Sequence, residues 1–151
     1  MTVEPAVLAE LPLFRPLPLE ARAALAALAS MEKRPSGFVI FEEGDPPGDV
    51  FFVLDGRITL TMGAGAGASS ARSLAPAEIV GWSSLLGRPR VARAVVSRAA
   101  TLVRIPASDV LELCERDPRV GYAVMAQAFE QVADRLVDTR MQLLDLYGKS
   151  G

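Results

Sequence analysis

Hydrophobic and polar positions divide this chain into zones of different rhythm. Residues 1–31 read as helical: Leu19, Ala23, Leu25 (or Ala26) and Leu28 form an apolar face at helical spacing. Pro18, ahead of Leu19 and Glu20, sits near the start of that helix. The prolines in residues 11–18 (LPLFRPLP) exclude a continuous helix there and predict a short apolar clip. From residue 36 to 105 the pattern turns strand-like. Residues 38–41 (FVIF) and 50–54 (VFFVL) are short β-rich runs, separated by the turn-dense EGDPPG of residues 43–48. Asp55 and Gly56 then lead into residues 57–62 (RITLTM), which alternate with period two. Residues 63–70 (GAGAGASS) predict a flexible hairpin tip, and strand material resumes at residues 72–74, 91–96 and 101–105. Short strands at regular spacing with Gly and Pro turns predict an antiparallel barrel or jelly roll.

The rhythm returns to helix over residues 107–147. Ser108 is a candidate N-cap for a helix over residues 109–115, and Asp117 with Pro118 reads as N-cap plus first-turn proline of a second helix. That second helix is predicted to run to Tyr147, with Gly148 just past its end. Within it Met125, Phe129, Val132, Leu136, Thr139, Leu143 and Leu146 are spaced 4, 3, 4, 3, 4, 3, a heptad seam interrupted by one polar residue. A helix packed on its own barrel needs a wider stripe, so the seam predicts a parallel helix–helix homodimer.

Composition then removes whole function classes. The 151 residues include no histidine and one cysteine. Without imidazole there is no Ser-His-Asp triad or Cys-His pair, and Cys114 alone cannot hold zinc. Acid pairs such as Glu42 and Glu43 fall in a turn, and no nucleophile–base pair can be assembled. The expectation is no enzyme, no metal and no cofactor. A single cysteine forms no internal disulfide, no apolar run reaches membrane-spanning length, and the opening MTVEPAVLAELPLF carries acids rather than a basic leader. A cytoplasmic protein without membrane contact is expected.

Net charge is only −2, but it is unevenly spread. Residues 72–104 hold Arg72, Arg88, Arg90, Arg93, Arg98 and Arg104 against Glu78 alone, a balance of +5 that leaves −7 for the rest. An Arg- and Ala-favouring genome explains why the cations are arginines, but not why acids are missing here. The stretch is a candidate anion site; nucleic acid is disfavoured by the acidic whole. The G-x-G-x-G of residues 63–67 lacks the Gly-Lys-Ser/Thr of a phosphate loop and opens no helix.

Helix, small β-roll, then helices is the order of the cyclic nucleotide-binding domain, and residues 37–46 (GFVIFEEGDP) with 51–58 (FFVLDGRI) resemble the first hairpin strands of that family. Gly44 and Gly56 stand where tight turns need positive φ. The similarity continues through residues 74–81 (LAPAEIVG) into the last helix and covers about residues 10–147. It implies a mainly-β α+β fold. A single domain over residues 1–151 would comprise an N-terminal helical segment (1–35), a β-roll (36–106) with a phosphate-binding cassette (80–93), and C-terminal helices (107–147), the last a long dimerisation helix.

In that family a glycine and a glutamate open a short helix facing the cyclic phosphate. The glutamate holds the ribose hydroxyl, and an arginine about ten residues later pairs with the phosphate. Gly81 matches the glycine, and Arg90 matches the arginine after a one-residue shortening of the loop; Arg88 and Arg93 stand nearby. Trp82 replaces the glutamate, and an indole donates but never accepts. Losing that bond lowers affinity by about 1.5–3 kcal/mol, roughly ten- to hundredfold. Ser83 or Ser84 would substitute weakly, while Trp82 would either stack on a base or plug the pocket. Val91 stands where a small hydroxyl residue or alanine usually follows the arginine.

The run ADRLVDT (residues 133–139) is similar to the dimer helix of catabolite-activator (Crp-Fnr-type) regulators. There a threonine at the place of Thr139 contacts the adenine edge; on spacing alone Thr139 would set the register of the seam. Arg140 replaces the following serine, which in those regulators reaches the partner's ligand. In those regulators a helix-turn-helix follows, and none is found before Gly151, so no DNA reading by that route is expected. The expected ligand residues are Gly81, Trp82, Ser83, Ser84, Arg90, Val91, Arg93 and Thr139, with cyclic AMP or cyclic GMP as possible ligand. Two alternatives stand beside a sensor that signals through its dimer helix to an unknown protein partner. One is a degenerate, ligand-free dimerisation module, and the other is the sensory part of a transcription regulator.

Overall fold

Adjacent phenylalanines show how the strands are used. Phe52 points with Val50 into a core shared with the helices, while Phe51 points with Val53 into the interior of the β-roll. Successive strand side chains face opposite sides, so a strand buried on both faces must read as an unbroken apolar run, as residues 50–54 do. A computed structural model describes residues 1–63, 70–74 and 78–149.

In chain order the elements are α1 (Pro5–Leu8), α2 (Leu19–Leu28), β1 (Ser30–Arg34), β2 (Val39–Phe41), β3 (Asp49–Met62), β4 (Ser70–Ser73), a 3₁₀ helix (Trp82–Leu86), β5 (Arg93–Pro106), α3 (Ala107–Arg116) and α4 (Pro118–Lys149). The result is the expected α+β fold, an antiparallel β-roll flanked by N-terminal and C-terminal helices, the last of them long. β5 organises the sheet. Its first part pairs with β2 (Val39↔Val95) and its second with β1 (Ser30↔Arg104 to Arg34↔Ala100). β3 runs antiparallel along its other edge, from Asp49↔Pro106 to Thr61↔Arg93, and carries β4 beyond.

Several local expectations change. Residues 50–54 and 57–62 are one strand, not two, and so are 93–96 and 101–105. Gly56 has the expected positive φ of 92°, yet it makes an in-strand irregularity rather than a hairpin. A Cβ there would lie 2.3 Å from the Ala99 carbonyl oxygen and 2.5 Å from Ala100 Cα, so β3 and β5 approach too closely for any side chain. The segment read as helical ends in strand β1, because pairing with β5 overrides the weak local preference of SMEKR. Ser108 does not cap α3, which begins after Pro106. Asp117 does precede α4: its Oδ1 accepts the Arg119 backbone N–H at 3.1 Å, and its carbonyl accepts from Val120 and Gly121. Gly148 lies inside α4 rather than beyond it. Most of the predicted glycine-rich tip, residues 64–69, lies outside the described residues.

The apolar clip packs as expected, with Leu11, Leu13, Phe14 and Leu17 buried and Phe14 edge-on to Phe52 at 5.1 Å. Together with Leu25, Ile105, Val110, Leu113, Val120 and Val124 they form the core on the helical side. Ile58, Leu60, Val80, Val96 and Leu102 fill the roll. The cassette runs between the two cores.

Candidate functional site

Val80 brings the chain into the cassette through two hydrogen bonds with Phe51, each 2.9 Å. Gly81 then takes φ +85°, ψ 32° and starts the 3₁₀ helix Trp82–Leu86. Only glycine fits: the left-handed backbone strains other residues, and a Cβ would lie 2.4 Å from Arg90 Nη1. At the far end, Arg90 N–H donates to the Asp45 carbonyl and Gly44 N–H to the Arg90 carbonyl, both at 2.8 Å. The cassette is thus fastened to the 43–48 turn, and Gly44, with φ +88°, makes that turn as expected.

Arg90 is 6% exposed. Its guanidinium lies 4.2 Å over the Phe41 ring and donates from Nη1 to the Gly81 carbonyl at 3.3 Å, while its buried Nε has no hydrogen-bond partner among the described residues. Burial pushes its pKa down, and the charges of Asp49 and Asp45 push it back up. A guanidinium keeps its proton regardless, so this is a buried, under-satisfied cation held in place by a glycine and an aromatic ring.

Two spaces adjoin the cassette. A narrow cleft of about 10 Å³, lined by Phe41, Leu60, Gly81, Trp82, Ser83, Val91, Ala92 and Arg135, holds roughly one water in this arrangement. On the other side of Arg90 lies a cavity of about 330 Å³ floored by Ile40, Phe51 and Leu102. Its rim charges are mutually engaged: Glu32 binds Arg34 at 2.7 Å and Arg104 at 3.5 Å, and Arg104 also binds Asp49. The Asp49 hydrogen bond holds the Arg104 guanidinium above its ordinary pKa.

The expected ligand residues are only partly brought together. Gly81, Trp82, Ser83 and Val91 line the narrow cleft, and Arg90 stands behind Gly81. Ser84 faces elsewhere, accepting the Gly48 N–H at 3.0 Å. Arg93 turns outward to Glu42 at 3.1 Å, on the surface. Thr139 is exposed and donates to the Arg135 carbonyl one turn back at 2.8 Å. Trp82 is half-buried and packs against the helical-side core while forming one wall of the cleft; its indole N–H is enclosed without a hydrogen-bond partner among the described residues. Sequence reasoning missed Phe41, Leu60, Ala92 and Arg135. The first three carry no signal beyond their apolarity; Arg135 sits within the ADRLVDT run, where a charge on a helix reads as solvent-facing.

On α4 the seam residues are solvent-facing: Met125, Phe129, Val132, Leu136, Leu143 and Leu146 are all exposed, Phe129 by 78%. Tyr122, 80% exposed, extends the same spacing by one step toward the N-terminus. Among the described residues no helix is long and apolar enough to cross a membrane, and no cluster of three His, Cys, Asp or Glu side chains could hold a metal.

Comparison with known proteins agrees with this geometry. The family model for the cyclic nucleotide-binding domain matches residues 31–117. Glutaminase 1 of Bradyrhizobium diazoefficiens is 30% identical over 130 residues, which is 86% of this chain but only 21% of that protein. Among solved structures, the catabolite activator protein of Thermus thermophilus is 29% identical with a TM-score of 0.72, over 89% of this chain and 63% of that one. The N-terminal domain of a transcriptional regulator from Streptomyces coelicolor A3(2) is 28% identical with a TM-score of 0.65, over 91% of this chain and 94% of that one. The chain therefore spans less than two thirds of both Glutaminase 1 and the Thermus protein. By sequence match and by fold alike, the chain belongs to the cyclic nucleotide-binding domain family, a regulatory rather than catalytic fold.

Proposed function

We propose that this chain is a regulatory sensor domain that takes a cyclic nucleotide or related anionic ligand at the cassette and signals through α4 as a homodimer. One observation carries the reading: Arg90, a 94%-buried cation without a bonded counter-ion among the described residues, is held against the Gly81 turn by Phe41. An anionic phosphate supplies the missing partner. The exposed seam of α4, extended by Tyr122, supports the dimer. The lone Cys114 suits a cytoplasmic setting.

Binding requires the cleft to widen, since about 10 Å³ admits no nucleotide. The moving wall is α4, because Arg135 closes the cleft opposite Gly81, Trp82 and Ser83. A ligand that prefers the opened state then shifts the helix population. Calorimetric titration with cyclic AMP, cyclic GMP and cyclic dinucleotides, alongside Trp82 fluorescence, tests this. Binding is expected at reduced affinity because Trp82 cannot accept the ribose hydroxyl, with recovery in Trp82→Glu. Silence at millimolar ligand in both proteins would sink the sensor reading.

That silence would favour a second reading, also motivated by the closed cleft: a ligand-free dimerisation module. The two part company at Arg90→Ala, which abolishes a ligand response in the first case and leaves assembly untouched in both.

A further inference from the structure

Ile79 is 1% exposed and directly precedes Val80, whose peptide groups are both taken by Phe51. Successive peptide groups of an extended chain point to opposite sides, so the N–H and C=O of Ile79 face away from Phe51, toward α4. Among the described residues no strand lies there. Instead the Gln131 side chain meets them: Oε1 accepts the Ile79 N–H at 2.8 Å, and Nε2 donates to the Ile79 carbonyl at 2.9 Å. One primary amide replaces a neighbouring strand and, among the described residues, provides the acceptor for the Ile79 N–H and the donor for its carbonyl.

Its position along α4 gives the contact its meaning. Val120, Val124 and Gln131 are the buried residues of the helix among those described, and after Gln131 none is buried. Gln131, 2% exposed, is thus the last buried residue before α4 leaves the body. It grips the cassette two residues ahead of Gly81, and one helical turn further on Arg135 closes the narrow cleft.

We infer that Gln131 is the coupling residue of the domain, a positioning group that transmits displacement of the cassette into the exposed half of α4. The inference rests on the sensor reading for the identity of the input, but the mechanical link is testable without a ligand. A carboxylate in place of the amide still accepts the Ile79 N–H, yet has no donor for the Ile79 carbonyl until it is protonated.

The test is hydrogen exchange read by mass spectrometry on the full chain, comparing wild type, Gln131→Glu and Gln131→Met. At neutral pH both variants should exchange roughly tenfold faster or more in residues 78–81 and 132–147. In Gln131→Glu alone, protection in both segments should return as pH falls through the carboxyl titration. Wild type at each pH controls for the charged neighbours Glu78 and Arg135. A merely space-filling role for Gln131 would show no such recovery. Cyclic AMP is then added as probe, with binding measured independently by calorimetry. A change in residues 132–147 of wild type that vanishes in both variants supports the link. The inference is overturned by folded variants whose residues 132–147 exchange like wild type, or by an undiminished helix response to bound cyclic AMP. A wild type that binds no cyclic AMP counts against the sensor reading while leaving the ligand-free comparison decisive for the link.

Discussion

The Arg90 guanidinium rests 4.2 Å above the Phe41 ring, with no carboxylate of the described residues in hydrogen-bond contact. A cation–π contact contributes about 0.5–2 kcal/mol, whereas burying a charge costs several kcal/mol. Arg90 therefore costs the fold stability and serves something else. Arg90→Met is expected to raise unfolding free energy by about 1 kcal/mol in urea titration while removing any anion binding. A variant that is clearly less stable would show that Arg90 is a structural group instead.

Glycines 56 and 44 share a positive φ but differ in surroundings, so the same substitution separates strain from collision. Gly44→Ala meets open space and should lose only about 1 kcal/mol from its left-handed backbone. Gly56→Ala drives a methyl into the Ala99 and Ala100 backbone and should lose more than about 3 kcal/mol or fail to fold. Equal losses in the two proteins would contradict the close β3–β5 approach.

Leu136 is 60% exposed and stands at the centre of the proposed seam, so its substitution separates assembly from folding. Leu136→Asp should yield a monomer by sedimentation with an unchanged melting temperature for the body of the domain. Val124→Asp, at a buried position on the other side of the same helix, should unfold the protein. A wild type that sediments as a monomer at every concentration would refute the homodimer.

Acid should loosen the start of α4. The Arg119 side chain holds the Asp117 carboxyl below the usual range, and Arg119 also binds Glu20 of α2 at 3.1 Å. A carboxyl depressed on folding stabilises above its unfolded pKa and loses that contribution as pH falls through its folded one. Stability should therefore decline below about pH 4, and less steeply in Asp117→Asn. Thermal melts of both proteins from pH 6 to 2 check the slope.

Much of this is legible in the chain because it depends on residue type at fixed spacing. The apolar run of residues 50–54 marks a doubly buried strand, the 4, 3 spacing along α4 marks an unpartnered face, and Gly81 with Arg90 marks the cassette. Other features depend on what lies across the molecule. Gly56 carries the same conformational signal in a hairpin turn as within a strand, and only the nearness of Ala99 separates the two. SMEKR becomes β1 because β5 offers it an open edge. Gln131 and Arg135 are polar residues on the inward side of an amphipathic helix, where hydrophobic patterning expects none; Gln131 finds its partner at Ile79, and Arg135 lines the cleft beside residues 81–83. Arg93 shows the opposite failure: a cation near the cassette in sequence points to Glu42 outside.

The burial pattern of α4 also makes it a lever. Val124 is the fulcrum, gripped by the core, and Gln131 lies seven residues on, roughly 10 Å along the axis. The end of the helix at Lys149 lies roughly 37 Å from the same fulcrum. A sideways movement at Gln131 therefore reappears at the tip multiplied between three- and fourfold, on the order of 3–4 Å for every ångström. A shift too small to repack either core would be large enough, at the far end, to change which side chains meet.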